Sequence, residues 1–223
     1  MRARVPVLLA AALLACASAG AQGTGVAATV HNLSAAGPGE IRAQSETEVC
    51  KFCHVPHNAV VPQPLWSHKL SPVARYDVPL VGRGDSVELP PQPDGSSRLC
   101  LSCHDGTVAL GDIGRARLPM AGVQKLDKGR RGHLGTDLSG SHPVSIPVPD
   151  GAGLGADESS DMATKPLAVV RADGIVRLDA KGKIQCTTCH DPHEDRYYQP
   201  GRVPRFWVKP TVTEVCLACH EPR

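Results

Sequence analysis

Cysteine, any two residues, cysteine, histidine: this order occurs four times in the 223-residue chain. The copies are Cys50-Lys51-Phe52-Cys53-His54, Cys100-Leu101-Ser102-Cys103-His104, Cys186-Thr187-Thr188-Cys189-His190 and Cys216-Leu217-Ala218-Cys219-His220. Cysteines three apart sit about one turn apart on a helical segment, so both thiols face one edge of a planar group. The next residue carries its imidazole over that plane, where a ring nitrogen can bind a central metal. Two thiols able to add to two vinyl groups, plus one axial imidazole, are what covalent attachment of c-type haem requires. Eight of the nine cysteines lie in these motifs, and the ninth is Cys16. One copy alone could be half of a zinc ribbon or a redox dithiol, and the set could in principle form two four-cysteine zinc sites. Four copies each closed by histidine point instead to four covalently attached haem c groups. Their attachment residues are Cys50, Cys53, Cys100, Cys103, Cys186, Cys189, Cys216 and Cys219, and their proximal ligands are His54, His104, His190 and His220.

A low-spin haem needs a second axial ligand. Six histidines remain: His31, His57, His68, His133, His142 and His193. The order of motifs selects four of them. The first and third motifs continue as Cys-His-x-Pro-His, ending at His57 and His193; the second and fourth are Cys-Leu-x-Cys-His followed by Asp105 or Glu221. One isolated histidine precedes each pair, His31 before the first and His142 before the second. Each half therefore reads histidine, C-x-x-C-H-x-Pro-His, C-x-x-C-H, an internal repeat implying two di-haem modules. Three residues of helix advance only about 4.5 Å, and Pro56 turns the chain away. His57 should thus bind an iron other than the one at His54, and His193 one other than that at His190. His68 and His133 are taken as non-ligands. Met120 and Met162 are alternative thioether ligands that would raise a haem's potential, and Trp66 and Trp207 are expected to pack against porphyrin.

The elements that must position these residues are slight. Aromatic residues make up 3% of the chain, against 22 glycines and 20 prolines, so few bulky side chains are available for a core. The expected fold is haem-cored and mostly irregular, with short α-helices, a small β-hairpin and no large sheet. The haems supply much of its folding free energy, and the apoprotein is largely unfolded. Glu46 and its neighbours suggest a short capped helix before the first motif. Residues 144–148 alternate like an extended edge segment, and Lys128-Gly129-Arg130-Arg131-Gly132 reads as an exposed loop. Apolar runs at Leu167-Ala168-Val169-Val170 and Ile175-Val176-Arg177-Leu178 flank Asp173-Gly174, a hairpin signal.

Residues 1–21 read as a signal peptide: a basic start with Arg2 and Arg4, an apolar stretch too short to span a bilayer, then Ala-x-Ala. Leu13-Leu14-Ala15-Cys16 is also a lipobox-like string, so a lipid anchor at Cys16 is the alternative fate. The di-haem modules are placed at 22–135 and 136–223, with one continuous domain as the alternative. Removing Arg2 and Arg4 leaves 22 basic residues against 22 acidic ones. Four haems add about eight propionate carboxylates, which argues against nucleic acid as a partner. No transmembrane segment is expected. Haem attachment and cysteine usage both imply export, to the periplasm, the outer-membrane surface or the extracellular space.

With these residues assembled, the chain resembles the multihaem c-type cytochromes of metal-reducing bacteria, and within them the tetrahaem outer-surface cytochromes that form filaments. The pieces that carry the resemblance are His31-Asn32-Leu33-Ser34 with Gly37-Pro38, residues 50–57, Pro64-Leu65-Trp66, residues 99–107, Asp137-Leu138-Ser139 with His142-Pro143, residues 186–193 and residues 215–220. Residues 79–93 and 151–165 match no family segment. The resemblance implies bis-histidine haems and a histidine that reaches into the next protomer, for which His31 is the candidate in a head-to-tail homopolymer. The function expected is electron transport through a tetrahaem relay with protein or extracellular redox partners. The alternatives are a monomeric periplasmic shuttle and a multihaem redox enzyme; four histidine-closed motifs with four spare histidines speak against an enzyme.

Overall fold

The structure, a computed structural model, describes residues 25–81, 89–148 and 162–222. The expected leader with Cys16 lies outside them, as do residues 82–88 and 151–161 of the two loops without a family match. Among the described residues the chain is mostly irregular, and no helix is long and apolar enough to cross a membrane.

Three of the four haem-type motifs begin within or end α-helices: α1 (Gly95–His104), α3 (Cys186–Cys189) and α4 (Val212–Cys219). The first occupies a 3-10 turn, Val49–Phe52. Its entry is held by Glu46, whose carboxylate accepts from the Thr47 and Glu48 backbone N–H groups and pairs with Lys51. In α4 the Thr211 hydroxyl caps the Glu214 N–H, and Gln185 and Thr188 form a reciprocal capping box at α3.

The strands are two or three residues long and pair only antiparallel: β1 (Arg42–Ala43) with β4 (Met120–Ala121), β2 (Asp112–Ile113) with β3 (Ala116–Arg117), and β5 (Met162–Thr164) with β6 (His220–Pro222). Residues 144–148 are extended only in part: Pro147 bridges to Lys183, and Ser145 and Val148 donate to the Ile184 and Gly182 carbonyls, but Ser145 lies at φ 64° and breaks the expected alternation.

The hairpin expected over 167–178 does not form. Leu167–Ala172 is a helix, α2, begun at Pro166 and ended at Asp173. Helical spacing puts Leu167 and Val170 on one face, where Val170 is 0% exposed among Val148, Val176 and Val215, while Val169 stays 49% exposed. Strand spacing would have set Val170 and Leu167 on opposite faces. Asp173-Gly174 serves as the stop for this helix, with Gly174 at φ 75°.

Apolar side chains gather in three small clusters, with no single contiguous core. One, around Phe52, Leu110 and Met120, backs Cys53 and Cys103. A second, around Val170, Val176 and Val215, backs Cys189 and Cys219. The third joins Tyr76 and Leu138 to Leu101 of α1. Met120, 1% exposed, is thus a packing residue in the first cluster.

The end of α2 is tied to the C-terminal segment by Asp173, whose carboxylate accepts from the Ile175 and Val176 N–H groups and from Lys209 Nζ at 2.5 Å. Burial opposes ionisation of this carboxyl, but Lys209 and the two N–H donors outweigh it and hold it below the usual carboxylate range. A depressed carboxylate contributes stability above its unfolded pKa of about 4 and loses it as the pH falls through the folded value. Asp173→Asn should therefore lower stability by about 1 kcal/mol at neutral pH and by progressively less below about pH 4. Thermal unfolding followed across that range checks it; an equal loss at all pH values would contradict the ion pair's role.

Candidate haem sites

In each C-x-x-C-H motif the helical turn puts the two thiols within one turn; His104 ends α1, whereas the last two motif histidines leave their helices. His190 and His220 are extended at φ −124° and −116°. Cys50 and Cys216 are exposed and the other six motif thiols are half-buried. Burial pushes Cys53 up to about 11 and Cys103 and Cys189 up to about 12, so these sulfurs carry protons. Thioether formation adds S–H across a vinyl double bond, which consumes that proton without an external acid. Cys100 and Cys186 influence each other, which raises Cys100 and lowers Cys186 to about 7.

Three proximal imidazoles are oriented from behind by backbone carbonyls. Nδ1 of His54 donates to Pro64 O at 2.7 Å, His104 to Gly132 O at 2.7 Å and His190 to Arg205 O at 3.0 Å. Donation by Nδ1 leaves Nε2 as the free base, the arrangement usual for a metal-ligating histidine. Burial holds His104, His190 and His220 below the ordinary imidazole value, which keeps them neutral.

Three of these rings face a second imidazole from a distant segment. His104 and His31 have ring centres 6.0 Å apart, His54 and His193 6.2 Å, and His220 and His142 6.3 Å. An iron between two nitrogens at about 2 Å each, with each ring centre about 1 Å further out, needs a separation of roughly 6 Å. The residues therefore fit bis-histidine haem. Trp66 Nε1 also fits: it is buried without a protein acceptor beside the His54 ring, where a porphyrin carboxylate would satisfy it. Among the described residues no three His, Cys, Asp or Glu side chains converge as a bare metal ion would require.

The outer histidines are held as well. His31 stacks on Phe206 at 4.1 Å and its Nδ1 donates to Pro192 O at 3.2 Å; burial, helped by His104, pushes it down to about 4. His142 Nδ1 contacts Pro143 O, and His193 Nδ1 lies 3.1 Å from Asp191 Oδ1. His31, the residue nominated for reaching into a neighbour, thus faces His104 of its own chain. His193 lies opposite His54, away from the adjacent His190. His57 alone among the four distal candidates meets no imidazole; it is exposed, beside the Asn58 amide. His190 correspondingly has Trp207 edge-on at 5.0 Å and no imidazole across from it. His68 is 1% exposed with both nitrogens against carbonyls, of Lys69 and Ala109. His133 packs on Gly106 and Gly135.

Motifs one and three share a feature that the sequence reading missed. Each is followed by a segment that folds back on it: Val55 N–H donates to Leu65 O and Asp191 N–H to Phe206 O, while Ser67 and Val208 donate to Cys53 and Cys189. Leu65 and Phe206 both adopt positive φ, 62° and 63°. The residue before each supplies the carbonyl for the proximal Nδ1, and the residue after each is a tryptophan set edge-on to the proximal ring at 6.1 and 5.0 Å. The signal available in sequence was an apolar residue and tryptophan, Leu65-Trp66 and Phe206-Trp207, trailing each Cys-His-x-Pro-His.

A family model described as the doubled CXXCH motif matches residues 179–223. Searched against the curated proteins, the chain has no match. Residues 179–223 are a multihaem c-type cytochrome-like region, and the doubled motif indicates covalently bound c-type haem at Cys186 and Cys189 and at Cys216 and Cys219.

The ring planes make a spectroscopic prediction. His54 and His193 are inclined by 16°, whereas His31 and His104 are inclined by 71° and His142 and His220 by 66°. Axial planes near parallel give a rhombic low-spin ferric signal, and planes near perpendicular give a strongly anisotropic one. Low-temperature electron paramagnetic resonance of the oxidised protein should show both types. His193→Ala should remove the rhombic signal and create one high-spin haem, while His68→Ala creates none.

Proposed function

We propose that the chain is a tetrahaem c-type cytochrome that relays electrons outside the inner membrane, with the haems forming its core in two di-haem modules. The observation that carries this reading is the set of three imidazole pairs at 6.0–6.3 Å, each joining a motif histidine to one from elsewhere in the chain. Bound haem would supply a ferric/ferrous couple at each site. Burial keeps His31, His104, His190 and His220 neutral, Nδ1 bonds orient His31, His54, His104 and His190, and the pairing would exclude exchangeable ligands from three of the four irons. Such sites pass electrons with little rearrangement and do not bind substrate, which favours a carrier over an enzyme.

The fourth site supports assembly into a head-to-tail filament. His190 has no imidazole opposite it and His57 has none to face, so one copy offers a donor and lacks an acceptor of the same kind. His57 of one copy completing the His190 site of the next is a heterologous contact that does not close on itself. This replaces His31 in that role. The same unpaired His190 would suit a second reading, in which that iron stays open and the protein is a multihaem redox enzyme.

Secreted, haem-loaded protein and its His57→Ala variant separate these readings. The filament predicts extended particles in negative stain with all haems low-spin, and monomers with one high-spin haem for the variant. Wild-type monomers carrying a high-spin haem that takes up cyanide would favour the open-iron enzyme, and wild-type monomers with four low-spin haems a periplasmic shuttle.

A further inference from the structure

Gln185 precedes the third motif and is 2% exposed, yet its polar atoms are bonded on every side. Its Oε1 accepts from the Ser97 hydroxyl at 2.6 Å and the Ser97 N–H at 3.2 Å; its Nε2 donates to Asp94 Oδ1 at 3.0 Å and Asp179 Oδ2 at 2.9 Å. The Ser97 hydroxyl in turn accepts from Cys186 N–H at 3.0 Å. Beside it Ser96 and Thr187 join hydroxyls at 2.6 Å, and Lys183 pairs with Asp94 at 2.5 Å. Ser97 and Asp94 belong to the start of α1, which carries the second motif, and Gln185 and Cys186 to the start of α3, which carries the third. The latch therefore fastens one half of the chain to the other.

The approach is close enough to dictate a glycine. Gly95 sits at φ 50°, and a Cβ there would lie 2.9 Å from Gln185 Nε2. Haem attachment is complete within each motif, and no residue of this network is an axial ligand. An apolar side chain of similar volume would fill the space without requiring these partners to align. Buried polar networks of this kind fix one relative placement, since any shift leaves desolvated groups unpaired. What is fixed here is the packing of α1 against α3, whose cysteines Cys100 and Cys186 would each join a porphyrin edge.

We propose that Gln185, with Ser97 and Asp94, is a positioning latch that sets the gap between the second and third haems and thereby the passage of electrons from one half of the chain to the other. The inference rests on the four-haem relay reading. The step is transfer of one electron from a ferrous to a neighbouring ferric haem, with no bond made or broken. Its rate falls steeply with edge separation, so the latch acts on it through distance alone.

The test uses the full-length haem-loaded protein with Gln185→Met, which keeps volume and removes the hydrogen bonds, and Ser97→Ala, which removes a single hydroxyl. Haem content, visible spectrum, thermal stability, magnetic coupling between irons and the rate of intrachain electron equilibration after flash reduction are measured on each. Both variants are expected to retain four low-spin haems while losing the iron–iron coupling of the second and third sites and slowing equilibration between halves. A purely structural role would lower thermal stability and leave coupling and rate as in the wild type, and that result overturns the latch. If Gln185→Met does not load four haems, Ser97→Ala decides by the same readouts. A wild-type protein with fewer than four haems would instead sink the relay reading itself.

Discussion

Two imidazoles facing one another about 6 Å apart have nothing to offer each other. They are too far apart to touch and both present lone pairs to the space between. His31 with His104 brings a residue near the start of the described chain to a motif helix, and His54 with His193 spans the two halves. Each such closure costs chain entropy that grows slowly with loop length and must be offset by what the closure binds. Three small apolar clusters cannot offset much of it. A metal–nitrogen bond at each ring could, so on the proposed four-haem reading axial ligation is the constraint on which the remaining structure would depend.

The clusters make sense in that light. Two of the three back the second cysteines of a pair of motifs, Cys53 with Cys103 and Cys189 with Cys219, so the apolar side chains lie where the flat faces of two attached groups would meet the polypeptide. The polar latch at Gln185 lies between the pairs, where α1 packs on α3. Attachment points thus follow one another in chain order through an apolar cluster, a buried hydrogen-bond network and a second apolar cluster. His31, from the first half, is clamped by Phe206 and Pro192 of the second. Haem-site geometry in one half therefore depends on backbone placed by the other.

Spacing made the site residues legible, and only part of their geometry. The four C-x-x-C-H motifs and the two Cys-His-x-Pro-His extensions are local, and local chemistry can be read from a string. Which imidazole faces which is a tertiary fact: His57 and His193 occupy the same place in the repeat, yet His193 faces His54 and His57 is solvent-exposed. The carbonyls of Pro64, Gly132 and Arg205 carry no side-chain signature at all. The failed hairpin has a sharper lesson. Asp-Gly marks a backbone that enters positive φ, and that requirement is common to a type I′ turn and to a helix stop. What decided between them was Val170, which only the helical period could place beside Leu167 in the second cluster.

The halves also diverge in what stands behind the last proximal histidine of each. His104 is fastened by the loop around Gly132, which supplies the carbonyl for Nδ1 while Leu134 N–H donates to the His104 carbonyl. That loop carries the exposed Lys128, Arg130 and Arg131, with Arg131 bonded to the Tyr198 hydroxyl. His220 lies instead on β6, paired with Thr164 of β5, and its Nδ1 has no acceptor meeting strict hydrogen-bond geometry. A strong Nδ1 bond makes an imidazole a better donor and stabilises the ferric state, whereas nearby cations favour the ferrous one. At His104 the first effect is in place; at His220 it is weak, and Lys165 and Lys209 act on the adjacent Cys219. The repeat that makes the two halves alike in sequence is therefore not a repeat of electrostatic setting, and equal motifs need not give equal potentials.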